Sequence, residues 1–342
     1  MDRKIQLENW LKEILNTQLS TLTTASADAS FRRYFRVHLQ SPYLGHKTLI
    51  AMDAPPPQED CAPFVKVAKL FLEAGLNVPQ VLAQDLQHGF LLLSDLGDDT
   101  YLNALNNDTA PKLYGDATSA LIKLQLASKS NILPNYDEAL LTREMQLFPD
   151  WYVKKHLRAE LNTEQQTIIK NTFDILNRNI LSQGQVYVHR DYHSRNLMIV
   201  NENNPGILDF QDAVYGAITY DLVSLLRDAY INWDEEQVID RAVRYWQPAK
   251  KAGLPVPEDF SEFYRDFEYM GAQRHIKVLG IFARLYHRDG KEGYLKDMPL
   301  VMNYLRKVCE RYVELRPMLR LLDTLGGQDQ HPDANYKKLL KL

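Results

Sequence analysis

Three oxygen-bearing side chains near the middle of the chain have the types and spacing that phosphoryl transfer requires. Residues 188–196 read VHRDYHSRN, an H-R-D triplet with Asn196 five positions after Asp191, and Asp209 follows thirteen positions later in ILDFQD. Moving a phosphoryl group spreads negative charge over its oxygens. The site therefore needs a divalent cation, and a carboxylate that orients the attacking hydroxyl and accepts its proton. Mg2+ takes oxygen ligands and keeps waters beside one or two carboxylates. Asp191 suits the base, Asp209 the main metal ligand and Asn196 an uncharged second ligand. Each aspartate follows a short apolar run, Val186–Val188 or Ile207–Leu208, that reads as a strand and supplies a rigid base.

Blander readings exist for each residue alone. An aspartate after a strand often caps a helix. His189 reads as a brace for its own loop. A zinc site from His189, Asp191 and His193 is conceivable, but no further ligand cluster supports it. The three residues together, each in strand context, favour the phosphoryl-transfer reading.

The elements that must carry this centre divide into two parts. Ile5, Leu7, Leu11, Ile14 and Leu15 recur at helical spacing and predict a helix over 3–17. Strands are expected at 31–39, 48–52, 81–83 and 90–93, the last two joined by a turn at Gln87–Gly89. A helix over 64–72 lies between the two pairs and ends at Gly75. Most connections are too short for parallel crossovers, so a mainly antiparallel sheet with one helix follows. The polar connector Ser94–Asp99 marks a lobe boundary. Beyond it the chain reads as helical at 110–128, 142–160, 164–182 and from Tyr220 onward, with short strands at 186–188, 197–200 and 207–208. At 342 residues the chain exceeds one ordinary core. The expectation is an α+β, two-lobed fold: residues 1–95 as a nucleotide-binding lobe, and 96–342 as a helical lobe with the catalytic loop and acceptor site.

The pattern HRDYHSRN…LDFQD resembles the aminoglycoside phosphotransferase family and protein-kinase-like folds. Over nearly the whole chain, ADASFRRYFRV, AMDAPP, LLLSDLGDDTYL, GILDFQDAVYGAITYDLVSLLRDAY and RHIKVLGIFARLYHRDGKEGYLKDMP are similar to bacterial anomeric kinases of N-acetylmuramate and N-acetylglucosamine. The resemblance implies a protein-kinase-like fold and ATP and Mg2+ as cofactors. It implies transfer to the anomeric hydroxyl of an amino sugar, in cell-wall sugar recycling. Other acceptors of the wider family, such as aminoglycosides, choline or another sugar, are the alternative.

The chain departs from the protein-kinase pattern in its first lobe. No glycine-rich loop and no strand lysine next to V-A-I are evident. The small, polar stretch Thr24–Ser30 stands where the loop would, ending at Ser30, and Met52 stands where the lysine would. These departures also fit a nucleotide-binding protein without activity. Arg32 or Arg33 is expected to replace the lysine, with Glu59 or Asp60 as its carboxylate partner. Strand alternation puts Arg32 and Arg36 on one face and Arg33 on the other. Ser94–Gly97 resembles a hinge that reads adenine, which points to Asp95 and Leu96.

Acceptor contacts are expected from Arg195, Asp212 and Arg274. The segment Arg274–Arg288 is basic and helical. A basic wall fits a carboxylate-bearing acceptor better than a polycation, and arginine holds carboxylates through a fork. Asp221 is expected to cap the helix that follows it.

Bulk composition closes off other classes. Hydrophobic residues make up 45% and charged residues 25%, with a net charge of −4, so no basic excess exists for a nucleic acid. The two cysteines, Cys61 and Cys309, lie far apart and suggest neither a disulfide framework nor a CxxC metal site. The charged N-terminus reads as a surface helix, no membrane span is evident, and no protein partner suggests itself. A cytoplasmic location is the default expectation.

Overall fold

The computed structural model describes residues 3–16, 19–27 and 31–327. The chain begins with α1 (Arg3–Leu15), β1 (Leu19–Ala27), β2 (Arg33–Tyr43), β3 (His46–Asp53), α2 (Ala62–Glu73), β4 (Val81–Asp85) and β5 (Phe90–Ser94). It continues with α3 (Tyr101–Ala104), α4 (Ala110–Leu126), α5 (Glu138–Met145), a π-helical stretch (Phe148–His156), α6 (Thr163–Ser182), β6 (Gln185–Val188), β7 (Leu197–Met198), β8 (Gly206–Ile207) and β9 (Val214–Ala217). The C-terminal part holds α7 (Tyr220–Leu226), α8 (Glu235–Lys251), α9 (Phe260–Asp289), α10 (Met298–Arg311) and α11 (Arg316–Gly327). Two compact units result. One combines the chain up to Leu124 with Arg195–Ala213, and the other combines Gln125–Ser194 with the chain from Val214 on.

The first unit is built on an antiparallel five-stranded sheet of order β1-β2-β3-β5-β4, as the short connections require. Leu7, Leu11 and Leu15 of α1, four residues apart, meet Phe35, Val37, Leu49, Ala51, Phe90 and Leu92 of the sheet in one core. The β2–β3 hairpin turns at Leu44 and Gly45, both at positive φ, which suits the right-handed twist of the strands it joins. Gly89 sits in the expected β4–β5 turn, where an added Cβ would lie 2.0 Å from the Ala54 carbonyl oxygen. Helix α2 ends as expected at Gly75, at φ +78°, with the Leu76 N–H bonded back to the Phe71 carbonyl at 3.0 Å. One strand was not anticipated. LSTLTTASA, read in part as a loop, pairs with β2 as β1. Ser30 and the rest of 28–30 lie outside the described residues.

Phe210 is fully buried in this unit, with ring centroids 4.8 Å from Phe64 and 5.7 Å from Phe71. It follows Asp209 directly and ties that residue to α2. Phe210→Ala is expected to lower stability by about 3–5 kcal/mol through lost burial and the cavity left behind. Chemical denaturation measures this, and a loss under about 1 kcal/mol would contradict the packing.

The second unit is helical apart from the antiparallel pair β6–β9. Strand β9 was not foreseen; it pairs along the whole of β6, which leads into the H-R-D loop. The helix expected over 142–160 is α5 followed by the π-helical stretch, with Pro149 in its first turn. The 30-residue α9 is the spine of the unit and is buried over most of its first two-thirds. It passes so close to the start of the π-helical stretch that a Cβ on Gly280 would lie 2.4 Å from the Leu147 carbonyl carbon.

Candidate active site

In the first unit, β7 and β8 pair so that the residues flanking them converge. The Leu208 N–H donates to the Asn196 carbonyl at 2.9 Å, and the Asn196 amide donates to Asp209 Oδ2 at 3.2 Å. The other carboxylate oxygen of Asp209 accepts from Gln211 Nε2 at 2.7 Å. Asp209 has φ +63°, a left-handed conformation uncommon for a residue with a Cβ and concentrated at functional positions. Arg195, Asn196 and Asp209 line a cavity of about 490 Å³ together with Tyr34, Arg36 and the Ser94–Asp98 linker. Asp95 and Leu96 thus border it too.

Asp209 carries carboxylate oxygens and Asn196 an amide oxygen, hard donor types that would suit Mg2+ alongside water and phosphate. No group of three or more His, Cys, Asp or Glu side chains suited to a metal occurs among the described residues.

The arginines of this unit have distinct partners. Arg32 pairs with Glu59 at 3.0 Å, the carboxylate expected to receive it. Arg33 pairs with Asp53 at 2.5 Å, which Arg3 also contacts. Neither Arg32 nor Arg33 is among the residues lining the cavity, whereas Arg36 is. Its guanidinium forks onto Asp95 at 2.6 and 3.1 Å, reaches Asp98 at 2.5 Å and donates to the Gly97 carbonyl at 3.2 Å.

Asp191 belongs to the second unit, on the loop leaving β6. Its side chain is 43% exposed, and Arg274 Nη2 stands 3.8 Å from its carboxylate. Desolvation pushes its pKa up, but the charges of Lys277 and Arg274 outweigh this and hold it below the usual carboxylate range. It is therefore ionised at neutral pH. Both ends of the loop are tied down. The His189 and Arg190 N–H groups donate to the Asp221 carboxylate at 2.7 and 3.0 Å. The Ser194 N–H and hydroxyl both bond Asp228, the former at 3.0 Å. Arg190, in this loop, has φ +80°, also left-handed. His189 is fully buried, and its Nδ1 accepts the Asp191 N–H at 3.2 Å.

Asp221 is not the helix cap that its position suggested. Thr219 is the N-cap, and the Asp221 side chain turns to the loop instead. Burial raises its pKa to about 7, against the pull of the two N–H donors and Arg274. Arg274 is buried as well, donating to the Arg190 carbonyl at 2.9 Å and the Tyr220 hydroxyl at 3.2 Å. Lys277, one turn on, bonds Tyr220 at 3.0 Å and Glu144 at 3.1 Å. The first part of the basic segment therefore faces inward, while His287 and Arg288 are exposed. Asp212, also exposed, lies 3.5 Å from Gln211 Nε2.

Glu144 is the hub beneath this loop, paired with Arg190 and Lys277 and accepting from the Tyr136 hydroxyl. Burial alone would raise its pKa, but Lys277 and Arg190 bring it below the ordinary value of 4.5. A carboxylate depressed in the folded state adds stability above its unfolded pKa, which is lost as pH falls through the folded value. The melting temperature is thus expected to fall as pH drops below about 4.5. Glu144→Gln should lower it at pH 7, because two cations lose a buried partner, and should flatten the acid limb. An acid limb as steep in Glu144→Gln as in the natural chain would contradict this.

A two-lobed scaffold with an antiparallel sheet in one part, helices in the other, and an H-R-D/N/D set defines a class. Residues 21–260 match the phosphotransferase enzyme family, and the chain belongs to it. It is 50% identical over 334 residues to the N-acetylmuramate/N-acetylglucosamine kinase of Neisseria meningitidis serogroup B, covering 96% of this chain and 98% of that one. It is 52% identical over 304 residues to the enzyme of the same name from Pseudomonas aeruginosa, covering 89% and 88%. Among solved structures, a choline/ethanolamine kinase family protein from Mesorhizobium loti matches with a TM-score of 0.63 at 14% identity, covering 94% of this chain and 99% of that one. That last likeness is one of fold.

Proposed function

We propose that the chain transfers the γ-phosphoryl group of ATP to the anomeric hydroxyl of N-acetylmuramate or N-acetylglucosamine. The observation that carries this is the 50% identity, over 96% of the chain, to a relative of that name. Asp191 accepts a hydrogen bond from the anomeric O–H, aligns its oxygen on the γ-phosphorus and takes the proton as the new P–O bond forms. The bond between that phosphorus and the β,γ-bridging oxygen breaks, and ADP leaves with the bridging oxygen. The five positions between Asp191 and Asn196 limit their separation to about 18 Å of extended chain, so the base and the donor pair stay tethered through one short segment. Asn196 and Asp209 are the residues to hold Mg2+, which when bound neutralises charge on the phosphate oxygens. Arg195, beside them on the cavity wall, is suited to the transferring phosphate or the acceptor.

The cations behind Asp191 support an acceptor that is neutral or anionic rather than a polycation. Arg274 stands 3.8 Å from the Asp191 carboxylate, and Arg190 and Lys277 share Glu144 just beneath it. The product would be a sugar 1-phosphate, ready for a nucleotidyltransferase of cell-wall sugar recycling, and ATP as donor implies a cytoplasmic setting. Two-dimensional phosphorus–proton NMR of the product from ATP and N-acetylmuramate tests the regiochemistry. Phosphorus coupled to the anomeric proton is expected, and coupling to any other ring or side-chain proton would reject the assignment.

A further inference from the structure

Arg36 stands on β2, the strand hydrogen-bonded on one side to β1 and on the other to β3, so its backbone is held on both edges. Its side chain lines the cavity that also holds Asn196 and Asp209, with Tyr34 two residues earlier on the same face. From there it grips the Asp95–Asp98 linker at three places: both oxygens of Asp95, one of Asp98 and the Gly97 carbonyl. Asp95 in turn accepts the Gly97 N–H at 2.9 Å. A fork onto a buried carboxylate fixes orientation as well as distance, which a single point charge does not.

The grip decides which polar groups the linker has left to offer. The Asp95 carboxylate and both backbone groups of Gly97 are consumed. The Ser94 N–H and hydroxyl are bonded to the Gln80 backbone. The Leu96 N–H takes part in no described hydrogen bond among the described residues, and Leu96 lines the cavity. Adenine offers an acceptor at N1. Guanine carries a proton there, so a fixed backbone donor meets a second donor and both stay unpaired, which costs discrimination-sized energy.

We propose that Arg36 is the positioning residue that sets nucleotide base preference, by clamping the 95–98 linker so that the Leu96 N–H reads the N1 edge of adenine. This rests on the reading of the cavity as the nucleotide site. It gives Arg36 a role apart from phosphate binding, since its charge is already matched by Asp95 and Asp98.

Calorimetric binding of ATP and GTP without acceptor, alongside steady-state kinetics, tests the proposal on the natural chain, Arg36→Ala and Arg36→Lys. The natural chain is expected to prefer ATP. Arg36→Ala should weaken ATP binding by about tenfold or more and shrink the ATP-over-GTP preference by a similar factor, with kcat changed less than about threefold. Arg36→Lys keeps the charge but cannot fork, so it should shift both quantities in the same direction by a smaller factor. Should Arg36→Ala not fold, the lysine variant reads the same quantities. Unchanged affinity and preference in the folded variants would overturn the proposal, as would a fall in kcat with nucleotide affinity intact. Failure of the natural chain to bind ATP at all would instead reject the nucleotide reading of the cavity.

Discussion

Asp191→Asn is expected to give a folded protein that binds nucleotide but turns over about 10²–10⁴-fold more slowly, the usual contribution of a positioned general base. The substitution keeps the shape and removes the proton acceptor. Folding should survive because the Asp191 side chain is 43% exposed and its cationic neighbour keeps other partners. Arg274 still bonds the Arg190 carbonyl and the Tyr220 hydroxyl, and Lys277 still bonds Glu144. The natural carboxylate is held ionised by Lys277 and Arg274, so its loss is felt across the neutral pH range. A kcat within about threefold of the natural chain, at unchanged melting temperature, would remove Asp191 from the chemistry.

Asp209→Asn is expected to uncouple nucleotide binding from magnesium. With one carboxylate in the donor pair, the substitution removes its formal charge, a stabilisation of several kcal/mol in the transition state, and kcat/KM should fall by about 10³-fold or more. Thermal shift gives a readout independent of turnover. ATP should stabilise the natural chain more with Mg2+ than without, and the variant equally in both. The two oxygens of Asp209 also accept from Asn196, the proposed second ligand, and from Gln211; asparagine keeps one oxygen, so one of these contacts is lost as well. A variant that keeps a magnesium-dependent shift would place the metal elsewhere.

What the sequence made legible follows from where the chemistry is coded. Asp191, Asn196 and Asp209 lie on short loops after apolar strands, so residue type and spacing alone expose them. The hairpin at Gly89 and the end of α2 at Gly75 were readable because each needs a positive φ. Pairing across long separations was not. Arg36 looked like one of three strand arginines, and only the fold brings it to Asp95. Arg274 and Lys277 read as part of a basic wall for an acceptor, because nothing local shows that Glu144 and Tyr220 meet them in the interior. Asp221 stood where a cap belongs, and its actual partners, two loop N–H groups, lie 32 and 31 residues upstream. The polar text of β1 hid a strand whose described side chains are half-buried or exposed, where alternation carries little hydrophobic signal.

The most direct test of the account is transfer from γ-labelled ATP, with Mg2+, to a panel of N-acetylmuramate, N-acetylglucosamine, choline and an aminoglycoside, with Asp191→Asn run in parallel. Label is expected on the two amino sugars alone, and at no more than about a hundredth of that rate with the variant. Label on choline or the aminoglycoside with the amino sugars left unmodified, or equal transfer by the variant, would contradict it.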